Sequence, residues 1–153
     1  MAGVIDAQTL TQVGFVVRDV EKTKAAWAEF LGVTPPPTQD LGDYEVTQTR
    51  VDGQPAPKAN CKMAFFEVGP NVQVELIQPN EEKSTWRDFL NEHGEGIHHI
   101  AFNLKGMDDK ILACENFGMK CVQRANYGNG KGKYAYMAAY DKLKCLVELL
   151  ENY

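Results

Sequence analysis

A chain of 153 residues with a formal charge of -5 and a pI near 5.2 offers no basic surface for nucleic acid or for an anionic membrane. With 44% hydrophobic and 24% charged residues it can bury a core without disulfide or metal staples. No leader-like segment opens it and no apolar run approaches the roughly 20 residues of a membrane span. The four cysteines (Cys61, Cys114, Cys121, Cys145) form no C-x-x-C pair, so reduced thiols in a cytoplasm are expected.

The elements follow in chain order. "LTQVGFVV" alternates and is β-branched, which predicts a strand at about 10–18. A helix follows, with Asp19 as N-cap and Gly32 as stop. Val20, Ala26, Trp27, Phe30 and Leu31 fall on one predicted core face. "VTPPPTQDLGD" is loop, because its prolines remove donors and fix φ. Strands are predicted at 44–50, 61–68 and 72–78, with the loop "VDGQPAPKAN" between the first two. "EEKSTWRDFLNEHG" reads as a connecting helix with Trp86, Phe89 and Leu90 buried. The pattern then restarts: "GIHHIAFNL" is a strand, "GMDDKILACENFG" a helix, and "MKCVQRA", "KYAYMAAYD" and "CLVELLE" three more strands.

The order β-α-β-β-β thus occurs twice, which invites an overlay. With Gln12 placed on His99, Phe15 meets Phe102, Ala26 meets Ala113 and Phe30 meets Phe117 without gaps. Both modules end alike, in "VELIQP" and "VELLEN". Gln12 and Glu75 lie 63 positions apart, His99 and Glu148 only 49; the surplus of 14 fits the Pro-rich loops at 33–43 and 51–60. One α+β domain over 1–153 is expected, built from tandem βαβββ modules at about 10–79 and 96–152 joined by a helix at about 81–93.

The overlay selects Gln12 and His99 on the first strands and Glu75 and Glu148 on the last. Strand alternation turns Glu75 away from Val74 and Leu76, and Glu148 away from Val147 and Leu149. A carboxylate inside an apolar strand is costly unless it is paired, hydrogen-bonded or metal-bound. Having one in each module argues that the four side chains converge. An imidazole, two carboxylates and an amide oxygen suit one divalent ion: zinc, nickel, cobalt, manganese or iron(II). The same alternation places His98 opposite His99, in a supporting role. "YGNGKGKY" at 127–134 reads as a hairpin loop whose glycines would let backbone N–H groups approach an anion.

The paired modules, "VGFVV.DVEK", "VELIQP", "GEGIHHIAF" and "LVELLE" resemble the vicinal oxygen chelate superfamily, the glyoxalase/bleomycin-resistance/dioxygenase fold. Its methylmalonyl-CoA epimerase-like branch is most similar. The resemblance implies a curved half-barrel cleft with Gln12, Glu75, His99 and Glu148 as metal ligands, and Glu148 as the proton-transferring base. It implies a metal-dependent lyase or isomerase that abstracts a proton next to a carbonyl, on a small carbonyl or acyl-thioester substrate. A homodimer is a form this family allows. Lys62, Tyr134 and Tyr136 are candidate cleft residues. Two features depart from the branch: Gln12 stands where its members carry His, as in animal glyoxalase I, and Lys62 stands where a second acid is wanted. A glyoxalase I-like lyase is therefore the alternative, although Val16 occupies the position of its glutathione-binding Arg. A metal-free binding protein using the same cleft is a third reading.

Overall fold

A computed structural model describes residues 1–153. In chain order the elements are β1 (Leu10–Val16), α1 (Val20–Leu31), β2 (Gln39–Asp40), α2 (Tyr44–Thr47), β3 (Arg50–Val51), β4 (Gln54–Pro55), β5 (Cys61–Gly69), β6 (Val72–Pro79), α3 (Thr85–His93), β7 (Gly96–Asn103), α4 (Met107–Asn116), β8 (Lys120–Asn126), β9 (Gly132–Ala138), α5 (Tyr140–Leu143) and β10 (Leu146–Asn152). The ten strands form one sheet, ordered β2-β5-β6-β1-β7-β10-β9-β8-β3-β4, which curls into an open half-barrel.

The centre of this order is symmetric. β1 pairs parallel with β6, β7 pairs parallel with β10, and β1 meets β7 antiparallel. Each half carries its own helix on the outer face. Val74 and Leu76 pack with Val20 and Ala28 of α1. Val147 and Leu149 pack with Met107, Ile111 and Cys114 of α4. The third cluster lies on the inner face, where Trp86 and Leu90 of α3 meet Ile77, Tyr134, Tyr136 and Leu146. α3 starts at the Ser84 cap, whose side chain accepts from Arg87 N, rather than at residue 81.

The predicted strand at 44–50 does not form. Tyr44–Thr47 is a helical turn, closed by Gln48 at φ 48°, whose Nε2 donates to the Tyr44 and Glu45 carbonyls. The first half is left with only Gln39–Asp40 as its edge strand against β5. The loop predicted at 51–60 contains a hairpin instead. Asp52 and Gly53 both take positive φ (50° and 78°), the requirement of a type I′ turn. Its strand β3 pairs with β8 of the other half.

The face of α1 also differs from expectation. Val20, Lys24 and Ala28 are buried, whereas Phe30 is 81% exposed and Ala26 lies outside. Lys24 is drawn inward because its Nζ donates to Thr38 Oγ1 (2.7 Å) and pairs with Glu21 (2.8 Å), tying the proline loop to the helix. Strand β9 stops at Ala138, and Tyr140–Leu143 forms a turn closed by Lys144 at φ 65°.

These placements predict different costs for two apolar truncations. Phe30→Ala should lower unfolding free energy by less than about 1 kcal/mol. Leu76→Ala, at a fully buried site, should cost about 2–5 kcal/mol. Urea denaturation measures both, and equal losses would contradict the α1 face described.

Candidate metal centre

The seam between β1 and β7 sets the geometry. Gly14 lies opposite His99, and Gln12 lies opposite Ala101. In the flanking parallel pairs Gly14 is in register with Glu75, and Ala101 with Glu148. Four adjacent strands therefore deliver one polar side chain each to the same spot on the inner face. The His99 ring lies over Gly14 so closely that a Cβ there would collide with Cε1 and both ring nitrogens.

The four side chains meet and are all buried, with residue exposures of 1–6%. His99 Nε2 is 3.1 Å from Glu148 Oε2 and 3.4 Å from Glu75 Oε2. Gln12 Oε1 is 3.0 Å from His99 Nε2. The same amide atom sits 3.0 Å from Glu75 Oε2 and 2.9 Å from Glu148 Oε2. Gln12 Nε2 donates to Gln73 Oε1 (3.4 Å), and Gln73 Nε2 donates to Glu67 Oε1 (2.5 Å). This chain turns the Gln12 oxygen toward two carboxylates. A cation between them would relieve that conflict; without one the amide turns over, loses Gln73 and donates its nitrogen to Glu75 Oε2 (3.0 Å) and Glu148 Oε2 (2.9 Å).

The spacing fits a cation as well. Donor atoms about 2.1 Å from one ion lie about 3.0 Å apart at an octahedral right angle and about 3.4 Å apart in a tetrahedron. The observed separations run from 2.9 to 3.4 Å. Glu75, His99 and Glu148 alone form a three-donor cluster with ligand atoms within 4.8 Å of one another. Oxygen donors with one imidazole suit a hard or borderline divalent ion.

The electrostatics of the protein groups point the same way. Burial raises the Glu75 carboxyl, and His99 pulls against it. Burial alone would lower His99, but Glu148 and Glu75 together lift it to about 10. An ion held there would take the place of the proton that the two carboxylates favour on His99.

His98 is not on the opposite face, contrary to strand alternation. β1 steps from Gly14 to Phe15 while β7 steps from His99 to Ile97, so His98 is the extra residue of a β-bulge. The bulge brings His98 Nδ1 to 3.0 Å from His99 Nδ1, against Phe89 and Tyr136. Burial, then the neighbouring His99, pushes His98 well down, so it stays neutral. For His99 Nε2 to present a lone pair, its Nδ1 must carry the proton and donate to His98 Nδ1.

The centre forms part of the wall of a cleft of about 670 Å³. Tyr134 and Tyr136 lie on its wall, but their hydroxyls are engaged. Tyr136 Oη accepts from Trp86 Nε1 (2.9 Å) and Tyr134 Oη accepts from Gln123 Nε2 (3.0 Å). Burial holds both phenols well above their ordinary range. Lys62 does not reach the cleft. Alternation along β5 turns Met63, Phe65 and Glu67 inward and leaves Lys62 outside. Of the glycine loop, Tyr127, Gly128 and Asn129 reach the cleft, while its lysines do not. Gln73 and Glu67 lie outside the four-residue set that the repeat overlay selects. The alternation that exposed Glu75 also places Gln73, two residues earlier, on the same face.

The family model described as the Glyoxalase/Bleomycin resistance protein/Dioxygenase superfamily matches residues 11–136. The chain belongs to this superfamily. It is 34% identical over 91 residues to the uncharacterized protein YqjC of Bacillus subtilis (strain 168), a match covering 58% of this chain and only 64% of that protein. Among solved structures it is similar in fold to methylmalonyl-CoA epimerase from Mycobacterium tuberculosis, with TM-score 0.69 and 19% identity, covering 100% of this chain and 92% of that one. A Streptomyces coelicolor methylmalonyl-CoA epimerase variant in complex with 2-nitronate-propionyl-CoA gives TM-score 0.67 at 18% identity, covering 95% of this chain and 98% of that one. No helix of this superfamily member is long and apolar enough to cross a membrane.

The Gly14–His99 contact generates a test. Gly14→Ala should leave the far-UV circular dichroism spectrum intact and lower divalent-metal content at least tenfold, measured by plasma mass spectrometry after dialysis. Undiminished metal content would contradict the seam geometry.

Proposed function

We propose that this superfamily member is a divalent-metal-dependent isomerase or lyase, epimerase-like, working on a carbon next to a carbonyl. The observation that carries the proposal is the convergence of Gln12, Glu75 and Glu148, which line the cleft wall, on the fully buried His99. All four would serve as ligands, with Glu148 doubling as base. A bound ion would polarise the substrate oxygens and offset the negative charge of the enolate. Zinc, nickel, cobalt or manganese would satisfy this donor set.

The protein groups supply the proton traffic. Glu148 faces the cleft from β10 and can take the proton from the carbon next to the carbonyl. Returning it to the other face of that carbon is epimerisation; returning it to the neighbouring atom is isomerisation. Glu75 holds the pseudo-twofold position on β6, so a second carboxylate flanks the same point. That carboxylate would act as the second acid that Lys62 does not offer. Buried aromatic walls from Trp86, Tyr134 and Tyr136 exclude water from the intermediate.

The glyoxalase I-like alternative is supported by Gln12 and the flanking carboxylates, while no arginine lines the cleft to receive a glutathione carboxylate. A metal-free binding protein would have to hold two carboxylates desolvated together on His99 and the Gln12 amide alone, a burial that a bound ion would offset. The acyl-CoA compounds bound by the structural neighbours extend the candidate substrates to acyl-thioesters. Free thiols at all four cysteines are compatible with a cytoplasmic setting, and a homodimer is the assembly to test by sedimentation.

Two measurements test the proposal. His99→Ala should abolish binding of zinc, nickel or cobalt and the rise in melting temperature that each produces; Gln12→Ala should weaken binding about tenfold to hundredfold. Metal-loaded protein in deuterated water should exchange the hydrogen next to a substrate carbonyl, and Glu148→Gln should slow this at least a hundredfold. A wild-type protein that takes up no divalent metal would remove the enzyme reading.

A further inference from the structure

The cleft holds chemistry that the metal centre does not use. Neither lysine nor arginine lines it. Beyond Gln12 it is ringed by six carboxamides: Gln39, Asn71, Gln73, Asn103, Asn129 and Asn152. Its charged side chains are all acids, with Asp40 and Glu67 on the walls in addition to Glu75 and Glu148. From this lining we infer that the cleft takes an uncharged, polyhydroxylated carbonyl compound, an open-chain sugar or sugar-like ketone. The inference rests on the proposed metal-assisted proton transfer and names the substrate class for it.

The charge argument is elementary. A divalent ion held by two carboxylates would carry no net charge, so it would draw a substrate anion only by direct ligation and not at a distance. The walls then oppose one, because Asp40 and Glu67 have no cationic counterpart in the cleft. Nearby lysines are directed elsewhere. Lys62 lies on the other face of β5, and Lys133 pairs with Glu151 (3.9 Å). A phosphate or free carboxylate in the cleft would lose water and gain no ion pair, which desolvation makes unfavourable.

The hydrogen-bond argument is positive. A carboxamide carries a donor and an acceptor side by side, and a hydroxyl does the same in miniature. Asn152 Nδ2 donates to Asn103 Oδ1 (3.2 Å), which leaves the Asn103 amide hydrogens and Asn152 Oδ1 for a ligand. Phe65, Tyr127 and Tyr134 give apolar wall against which the C–H faces of a sugar can pack. The far side is closed where loop 41–43 meets loop 127–130. Their backbones touch so closely that a Cβ at Gly128 would collide with the Leu41 carbonyl oxygen. That closure favours a compact substrate.

The decisive comparison uses compounds that share a carbonyl and differ in charge. Metal-loaded protein in deuterated water is given dihydroxyacetone or its phosphate, D-fructose or its 6-phosphate, and methylmalonyl-CoA, with hydrogen exchange followed by NMR. The neutral member of each pair should exchange at least tenfold faster, and methylmalonyl-CoA should be slower than either neutral sugar. Asn103→Lys and Gln39→Lys should each shift the preference at least tenfold toward the phosphate. Faster exchange of the phosphates or of methylmalonyl-CoA by the wild type would overturn the substrate class and leave the proton-transfer reading standing. Should no compound exchange, the proton-transfer reading falls, and calorimetric titration of D-sorbitol against its 6-phosphate decides the class separately. Tighter binding of the neutral polyol upholds it; equal or weaker binding overturns it.

Discussion

The antiparallel seam of β1 and β7 is the constraint on which this molecule depends. It brings two strands distant in sequence within one hydrogen-bonded ladder, and it stacks the His99 ring on the bare backbone of Gly14. Every other member of the centre takes its position from that ladder. Glu75 is in register with Gly14 across one flanking pair, and Glu148 with Ala101 across the other. The outer helices hold the arrangement by anchoring the neighbours of each carboxylate: Val74 and Leu76 under α1, Val147 and Leu149 under α4. Moving either glutamate by one residue would bury its charge against a helix and turn an apolar side chain toward the centre.

The repeat made most of this legible. An ungapped overlay of Gln12 on His99, with the terminal VEL segments matched, named all four converging residues, because strand alternation is a local rule and the duplication supplied the long-range pairing. What stayed hidden depends on departures from alternation. The bulge that swings His98 beside His99 requires an extra residue in β7 relative to β1, and no single-strand pattern announces it. The 44–50 segment carries β-prone Tyr44, Val46, Thr47 and Thr49, yet Gln48 adopts a left-handed backbone and caps a helical turn with its own side chain. The Asp52-Gly53 hairpin carried a readable turn signal inside a segment taken as loop, but its partner strand in the other half could not be inferred locally. Phe30 fell on a helical stripe whose inner place is held by Lys24, a residue that is buried because Thr38 and Glu21 receive its ammonium.

The symmetry of the scaffold and the asymmetry of its side chains explain one another. Both halves carry a bulged residue immediately before the polar one: Thr11 before Gln12 and His98 before His99. The imidazole is the bulkier group, and the residue facing it across the seam is glycine. The slimmer amide faces Ala101, where a methyl group is tolerated. The orienting partners differ for the same reason. Gln12 can present either end of its amide, so it needs an acceptor for Nε2, and Gln73, in register with it on β6, provides one through its own bond to Glu67. His99 needs an acceptor at Nδ1 instead, and the bulged His98 supplies it from the same strand. The position on β10 in register with His99 is then free of any polar duty, and Leu146 fills it as part of the inner core. A duplicated fold thus reaches one centre with two different side-chain types, each half adjusting the residue opposite and the residue that aims it.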